Sequence, residues 1–234
     1  MPASRPPVCS VCGDAGWLRL DVPFGHPRHG QLERCACKGV EDAQRLQRLC
    51  GLTASERSLR LDMIEAGGRP GTLQMMRACI EFREAPSGIL TLWGGVGNAK
   101  TMALQATVNE LVERGVEAVY ITAFDLFSHI KEAFNARKEV VDESAYGRLS
   151  RFERVRVLAV DEFDKLRVTE WALEQITDLV DKRYRLGLDG QAGTMLAMNS
   201  NPADQPDWIA SRLLDGRNVV VHNADTDLRS ALKG

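Results

Sequence analysis

The chain has 234 residues, 44% of them hydrophobic and 26% charged, with a net charge of −2 and an isoelectric point near 6.1. That length suits one full α/β domain with a small appendage. The faintly acidic balance excludes a global basic field, so any nucleic-acid contact has to come from local patches or from assembly. No apolar run approaches the roughly 20 residues of a membrane-spanning helix. Met1-Pro2-Ala3-Ser4 opens without the apolar stretch of a secretory leader. The expectation is a cytoplasmic protein with no membrane partner, whose six cysteines act as metal ligands or buried thiols rather than disulfides.

The first predicted element is built on four of those cysteines. Cys9 and Cys12, then Cys35 and Cys37, form two close pairs. Each pair can set two thiolates on one side of a tight turn, and two facing turns give a tetrahedral four-sulfur zinc site. Between them Gly16 to Val22 alternates like a short strand, as in a small zinc ribbon that folds only with its metal. His26 and His29 could substitute as ligands but read better as solvent-facing loop residues. Cys50 and Cys79 read as small buried apolar residues. A Leu-spaced, charged stretch follows over 40–50, and Thr53 with Glu56 offers a capping box. Gly67, Gly68 and Gly71 mark a linker, and a helix is predicted from about Thr72 to Arg83.

Ile89 to Trp93 reads as a buried strand and Met102 to Glu113 as a helix. Between them lies Gly94-Gly95-Val96-Gly97-Asn98-Ala99-Lys100-Thr101. A Gly-rich loop joining a strand to a helix is the Walker A arrangement, whose backbone N–H groups cradle phosphate oxygens. Lys100 would reach the β- and γ-phosphates and Thr101 would hold Mg²⁺, with Met102 continuing the binding turn. Ala99 stands where the pattern has its last glycine. Val116 to Thr122 is the next strand, and Phe124 to Phe134 has helical spacing. Val155 to Val160 then runs into Asp161 and Glu162, the Walker B pattern: Asp161 for the Mg²⁺ shell, Glu162 to polarise the attacking water. Thr194 to Met198 is a strand ending in Asn199-Ser200-Asn201. An asparagine there could orient the water with Glu162, or could form an Asx turn before Pro202. Val219 to Val221 is a last short strand.

From Ala85 to about Leu232 this series resembles the AAA+ ATPases, and within them the helicase loaders of the DnaC/DnaI type. Leu158 to Lys165, Trp171 and Asp181 to Tyr184 look like the family's Walker B strand and following helix. Met198 to Pro202 looks like its sensor 1 turn, with Asn201 as the sensor. Ser211-Arg212-Leu213 matches the arginine-finger position and Asp227-Leu228-Arg229 the sensor 2 position. The paired cysteines are similar to the zinc-binding module of some loaders.

The resemblance implies a three-layer α/β/α sandwich with a five-stranded parallel sheet in the order 5-1-4-3-2, no large lid, and a small N-terminal zinc ribbon. It implies a zinc module over 1–40, a helical linker over 41–84 and an AAA+ domain over 85–234. Lys100, Glu162, Asn201, Arg212 and Arg229 would carry catalysis, with Arg212 acting in trans on a neighbouring copy. Gly94 to Met102 and Asp161 would bind the nucleotide. The implied cofactors are ATP or ADP, Mg²⁺ on Thr101 and Asp161, and Zn²⁺. The implied activity is ATP hydrolysis, slow in the lone chain, and the implied partners are a hexameric replicative helicase, single-stranded DNA and further copies of the chain. An IstB-type transposition helper and a non-hydrolysing, nucleotide-responsive adaptor stay open as alternatives.

Overall fold

A computed structural model describes residues 9–38, 52–138, 150–165 and 170–227. The predicted stretch 40–50, Cys50 and Arg229 lie outside the described residues. In the N-terminal segment, β1 (Trp17–Arg19) and β2 (Leu32–Arg34) form a two-stranded antiparallel sheet. The main body follows the order α1 (Ala54–Arg57), α2 (Pro70–Glu84), β3 (Gly88–Gly94), α3 (Lys100–Glu113), β4 (Ala118–Thr122), α4 (Ala123–Lys138), β5 (Val157–Asp161), α5 (Glu170–Leu188), β6 (Gly193–Met198), α6 (Asp207–Leu213) and β7 (Val219–Asn223).

Strands β3 to β7 form one sheet in spatial order β4-β5-β6-β3-β7, every pair parallel. Counted from β3 as the first core strand, this is the expected order 5-1-4-3-2 read from the other edge. Strands covered on both faces read as continuous apolar runs, and strict side-chain alternation sorts them. Ile89, Val119, Ile121, Leu158, Val160, Leu196 and Met198 pack in one apolar cluster, with Leu126 and Ile130 of α4 and Ile176 and Leu179 of α5. Leu90, Leu92, Ala118, Tyr120, Val157, Ala159, Met195 and Ala197 face the other way, against Ala103, Leu104 and Ala106 of α3. The small Ala118, Ala159 and Ala197 on that face let α3 settle close over the middle of the sheet.

Of the stretch expected as a helical linker over 41–84, residues 52–84 are described, and they pack on the main body. Leu52, Leu61, Ile64, Met75, Cys79 and Phe82 are buried in the same cluster as α3. The apolar side of α2 has nowhere else to go, and it closes the layer. The buried Cys79 thiol is pushed up to about 12 by desolvation. The Thr53–Glu56 capping box forms as expected.

Arg183 on α5 is 2% exposed. Its guanidinium donates to Thr194 Oγ1 (2.8 Å) and to the carbonyls of Phe152, Glu153, Val155 and Gly193. Three of those carbonyls belong to the turn entering β5, where a helix C-terminal end favours a cation. One side chain thereby ties α5 to the starts of two central strands.

Candidate nucleotide-binding site and four-cysteine cluster

The site lies where β3 and β6 run side by side but their following helices leave on opposite faces of the sheet. That is the crevice in which parallel α/β sheets take ligands. A cavity of about 640 Å³ opens there, lined by the loop from Val96 to Met102, by Gln105, Asp161, Glu162, Lys165 and Asn199, and by Leu59 from the segment before α2.

Two glycines of the loop are demanded by close approach. A Cβ on Gly94, at φ +137°, would lie 2.0 Å from Asn223 O, and one on Gly97, at φ +74°, would lie 1.8 Å from Asp227 Oδ1. Ala99 sits at φ 65°, ψ 14°, a left-handed backbone, as the residue that opens α3. An L-residue there costs about 1–2 kcal/mol, which is the conformational reason for the glycine that the Walker pattern carries at this place. Helix α3 starts at Lys100, two residues earlier than its apolar periodicity indicates.

Lys100 is buried. Its ammonium donates to Gly94 O (2.8 Å), Gly95 O (2.7 Å) and Asn98 Oδ1 (2.9 Å), so the loop holds its own lysine at the cavity floor. Burial pulls the lysine below its ordinary value, opposed by Asp161 and Asp164. Asn98 is fixed in turn: its Nδ2 donates to Asn223 O (2.8 Å), and Asn223 Nδ2 donates to Asn98 O (3.1 Å). Beyond it, Asp225 accepts from Thr72 N (2.7 Å), Thr72 Oγ1 (2.8 Å) and Gly71 N. The chain after β7 thus caps α2, whose own N-cap residue, Arg69, makes no side-chain cap.

Asp161 closes β5 and is 4% exposed. Its Oδ1 accepts from Glu162 N (2.8 Å) and its Oδ2 from Tyr120 Oη (3.0 Å). Glu162, at φ 54°, turns outward, and its carboxylate pairs with Lys165. That contact, ahead of a desolvation effect of opposite sign, holds the Lys165 ammonium above its ordinary value. Asp164 Oδ2 accepts from Asn199 N (2.9 Å) and Ser200 N (2.7 Å), fixing the turn after β6.

The asparagines separate clearly. Asn201 Oδ1 accepts from Ala203 N (3.0 Å) as the cap of a short 3₁₀ turn, and the side chain is exposed. Asn199, not Asn201, lines the cavity. Asn199 follows directly on β6 and keeps the α3-facing side of Met195 and Ala197, whereas Asn201, of the same parity, is turned away by the 3₁₀ turn that it caps. Arg212 is away from the cavity of its own chain. Its guanidinium grips Asp181 Oδ1 from Nε (2.8 Å) and Nη2 (2.5 Å), and this holds Asp181 below the usual carboxylate range. The Arg212 carbonyl accepts from Asn218, whose Oδ1 accepts from Ile89 N at the opening of β3. Gly94 lies five strand residues further on, roughly 17 Å at a strand's rise.

In the N-terminal segment the ligand atoms of Cys9, Cys12, Cys35 and Cys37 all lie within 4.8 Å of one another. Sγ of Cys9 and Cys35 are 3.8 Å apart, and those of Cys12 and Cys37 3.4 Å. All four are free thiols. A tetrahedral site with metal–sulfur bonds of about 2.3 Å needs sulfurs roughly 3.8 Å apart, so the donor set fits a metal. Backbone N–H groups of Cys12 and Val11 bring the Cys9 thiol down to about 7, and Gly16 N donates to Cys12 Sγ (3.3 Å). His26 and His29 stay outside the cluster, their ring nitrogens on Arg28 N and Val22 O.

Among solved structures, the chain is similar to the DnaC helicase loader, with a TM-score of 0.58 and 19% identity over 73% of this chain and 99% of that one. It is similar to DnaI at a TM-score of 0.57 and 18% identity, over 73% of this chain and 94% of that one. The fold is AAA+. DnaA from Aquifex aeolicus bound to AMPPCP matches at a TM-score of 0.59 and 20% identity, covering 75% of this chain. The chain spans about half the length of that initiator, 52%. No family profile and no curated protein matches the sequence. Among the described residues, no helix is long and apolar enough to cross a membrane.

Proposed function

We propose that the chain is an ATP-hydrolysing AAA+ protein that loads a hexameric replicative helicase, working in the cytoplasm beside single-stranded DNA. The observation that carries this reading is the convergence of Lys100, Thr101, Asp161, Glu162 and Asn199 on one cavity. DnaC, a helicase loader, and DnaA bound to AMPPCP and single-stranded DNA share the fold.

Backbone N–H groups of the Gly94–Thr101 loop and the start of α3 receive the phosphates. Lys100 exchanges its loop carbonyls for phosphate oxygens. Thr101 and Asp161 would hold Mg²⁺, which supplies charge neutralisation across the β- and γ-phosphates. Glu162 leaves Lys165 to polarise the attacking water, and Asn199 takes the orienting role first assigned to Asn201. Arg212 serves a neighbouring copy, since it cannot span the sheet to its own cavity; Arg229 would act on its own nucleotide. With the base paired to Lys165 and the finger to Asp181, the lone chain turns over slowly. The four cysteines would hold Zn²⁺, which cross-links the N-terminal segment.

The test separates binding from chemistry. Lys100→Ala should abolish nucleotide binding, whereas Glu162→Gln should keep binding and lose turnover. Equal affinity in wild type and Lys100→Ala would reduce the loop to a turn. Capture of a replicative helicase rather than a transposase distinguishes the loader from an IstB-type helper.

A further inference from the structure

Tyr120 lies on β4, one strand away from the acidic end of β5, and is 4% exposed. Its hydroxyl donates to Asp161 Oδ2 at 3.0 Å, while Asp161 Oδ1 is held by the amide of Glu162. The carboxylate is therefore oriented before anything enters the cavity. On its other side stands the Gln105 side chain of α3, which opposes the rise that burial and Asp161 impose on the phenol's pKa. Gln105 Nε2 donates to Glu56 Oε1 at 3.1 Å, and Asn109 Nδ2 clamps the same segment through Glu56 O (2.7 Å) and Leu59 O (3.1 Å). Glu56, Gln105, Tyr120 and Asp161 thus form a row of polar side chains, hydrogen-bonded at both ends, and Leu59 beside its outer end lines the cavity.

We infer that Tyr120 is a positioning residue for the metal-holding carboxylate of Asp161, and that through Gln105 and Glu56 it couples that carboxylate to the segment before α2 that walls the nucleotide cavity. Partners that hydrogen-bond a ligating carboxylate fix its rotamer, and their loss weakens metal affinity about 10–100-fold. The row also gives the segment following the N-terminal module a physical connection to the metal position. The inference rests on the proposed nucleotide-binding function, so the experiment separates the two.

Nucleotide binding to the full chain is followed with a fluorescent ATP derivative while Mg²⁺ is titrated, and in parallel in EDTA. Tyr120→Phe keeps the ring and removes only the hydroxyl. The concentration of Mg²⁺ giving half-maximal binding should rise about tenfold, with affinity in EDTA unchanged. Gln105→Met should shift it in the same direction by less, and it decides the matter if Tyr120→Phe fails to fold. An unchanged Mg²⁺ midpoint, or parallel losses with and without Mg²⁺, overturns the positioning role while leaving the nucleotide site standing. Absence of nucleotide binding by the unsubstituted chain removes the proposed function and this inference with it.

Discussion

Around the phosphate loop, Ile89 to Leu92 are all buried, and the helix behind them packs Ala103, Leu104 and Ala106 without exposure. Between Cys9 and Lys38, by contrast, only Gly16 and Cys35 are buried, while Val11, Trp17, Phe24 and Leu32 each expose half or more of their surface. The loop is over-determined: apolar layers hold its flanks, and its lysine, Asn98, Asn223 and Asp225 interlock. The N-terminal segment has one short β-ladder and four converging thiols. Identical polypeptide chemistry is thus organised by burial in one region and by a donor set in the other, and each region should fail under its own perturbation.

Stripping metal is the harshest way to separate them. A strong chelator, or Cys35→Ser with Cys37→Ser, should unfold residues 9–38 outright, since a structural zinc site contributes about 10 kcal/mol or more to folding. The AAA+ body should keep its thermal midpoint. Elemental analysis of purified protein should return one zinc per chain, and amide spectra should show collapse confined to that segment. Loss of the AAA+ transition on chelation would mean that the two regions do not fold independently.

A smaller effect sharpens the other side. Asp225→Ala removes the cap of α2 and should cost about 1 kcal/mol of AAA+ stability, in the range of N-cap losses, with zinc content unchanged. Desolvation opposes ionisation of Asp225, but the amides of Thr72 and Gly71 outweigh it and depress the carboxyl. A depressed folded pKa means the contribution is complete above the unfolded value of 3.8 and is lost as pH falls through the folded value. The difference between wild type and Asp225→Ala in denaturant unfolding should therefore be full at neutral pH and shrink below about pH 4. A difference that persists undiminished at pH 2 would remove Asp225 as the cap.

The smallest change falls on the one strained element of the loop. Ala99→Gly should stabilise the AAA+ body by about 0.5–1 kcal/mol, because relief of the left-handed alanine exceeds the extra freedom glycine gains in the unfolded chain. Turnover should not fall. A destabilised Ala99→Gly protein would show that the alanine methyl contributes packing worth more than the strain.

The phosphate loop and the acidic end of β5 were legible because each is a contiguous run whose chemistry depends on local spacing: glycines at a strand end, Lys-Thr at a helix start, a carboxylate closing an apolar strand. The four cysteines were legible for the same reason. Which of Asn199 and Asn201 lines the cavity was not legible, because both have the parity of Met195 and Ala197 and only the end of β6 at Met198 separates them. Tyr120, Asp164, Asp225 and Arg183 were not legible. Each acts on a partner between 11 and 154 positions away in the chain, or on carbonyls that any residue could present.

The sequence by itself determined which layers could form, because buried parallel strands and amphipathic helices leave periodic traces, and which short motifs could hold phosphate or metal. Only the tertiary structure decided that residues 52–84 pack on the core, that Arg212 lies on Asp181 rather than at its own cavity, and that a tyrosine of the neighbouring strand, two register positions away, holds Asp161. Those outcomes depend on strand order and on which side chains meet across it. Periodicity carries no record of either, since hydrogen-bond partners in a parallel sheet are chosen by packing after the elements exist.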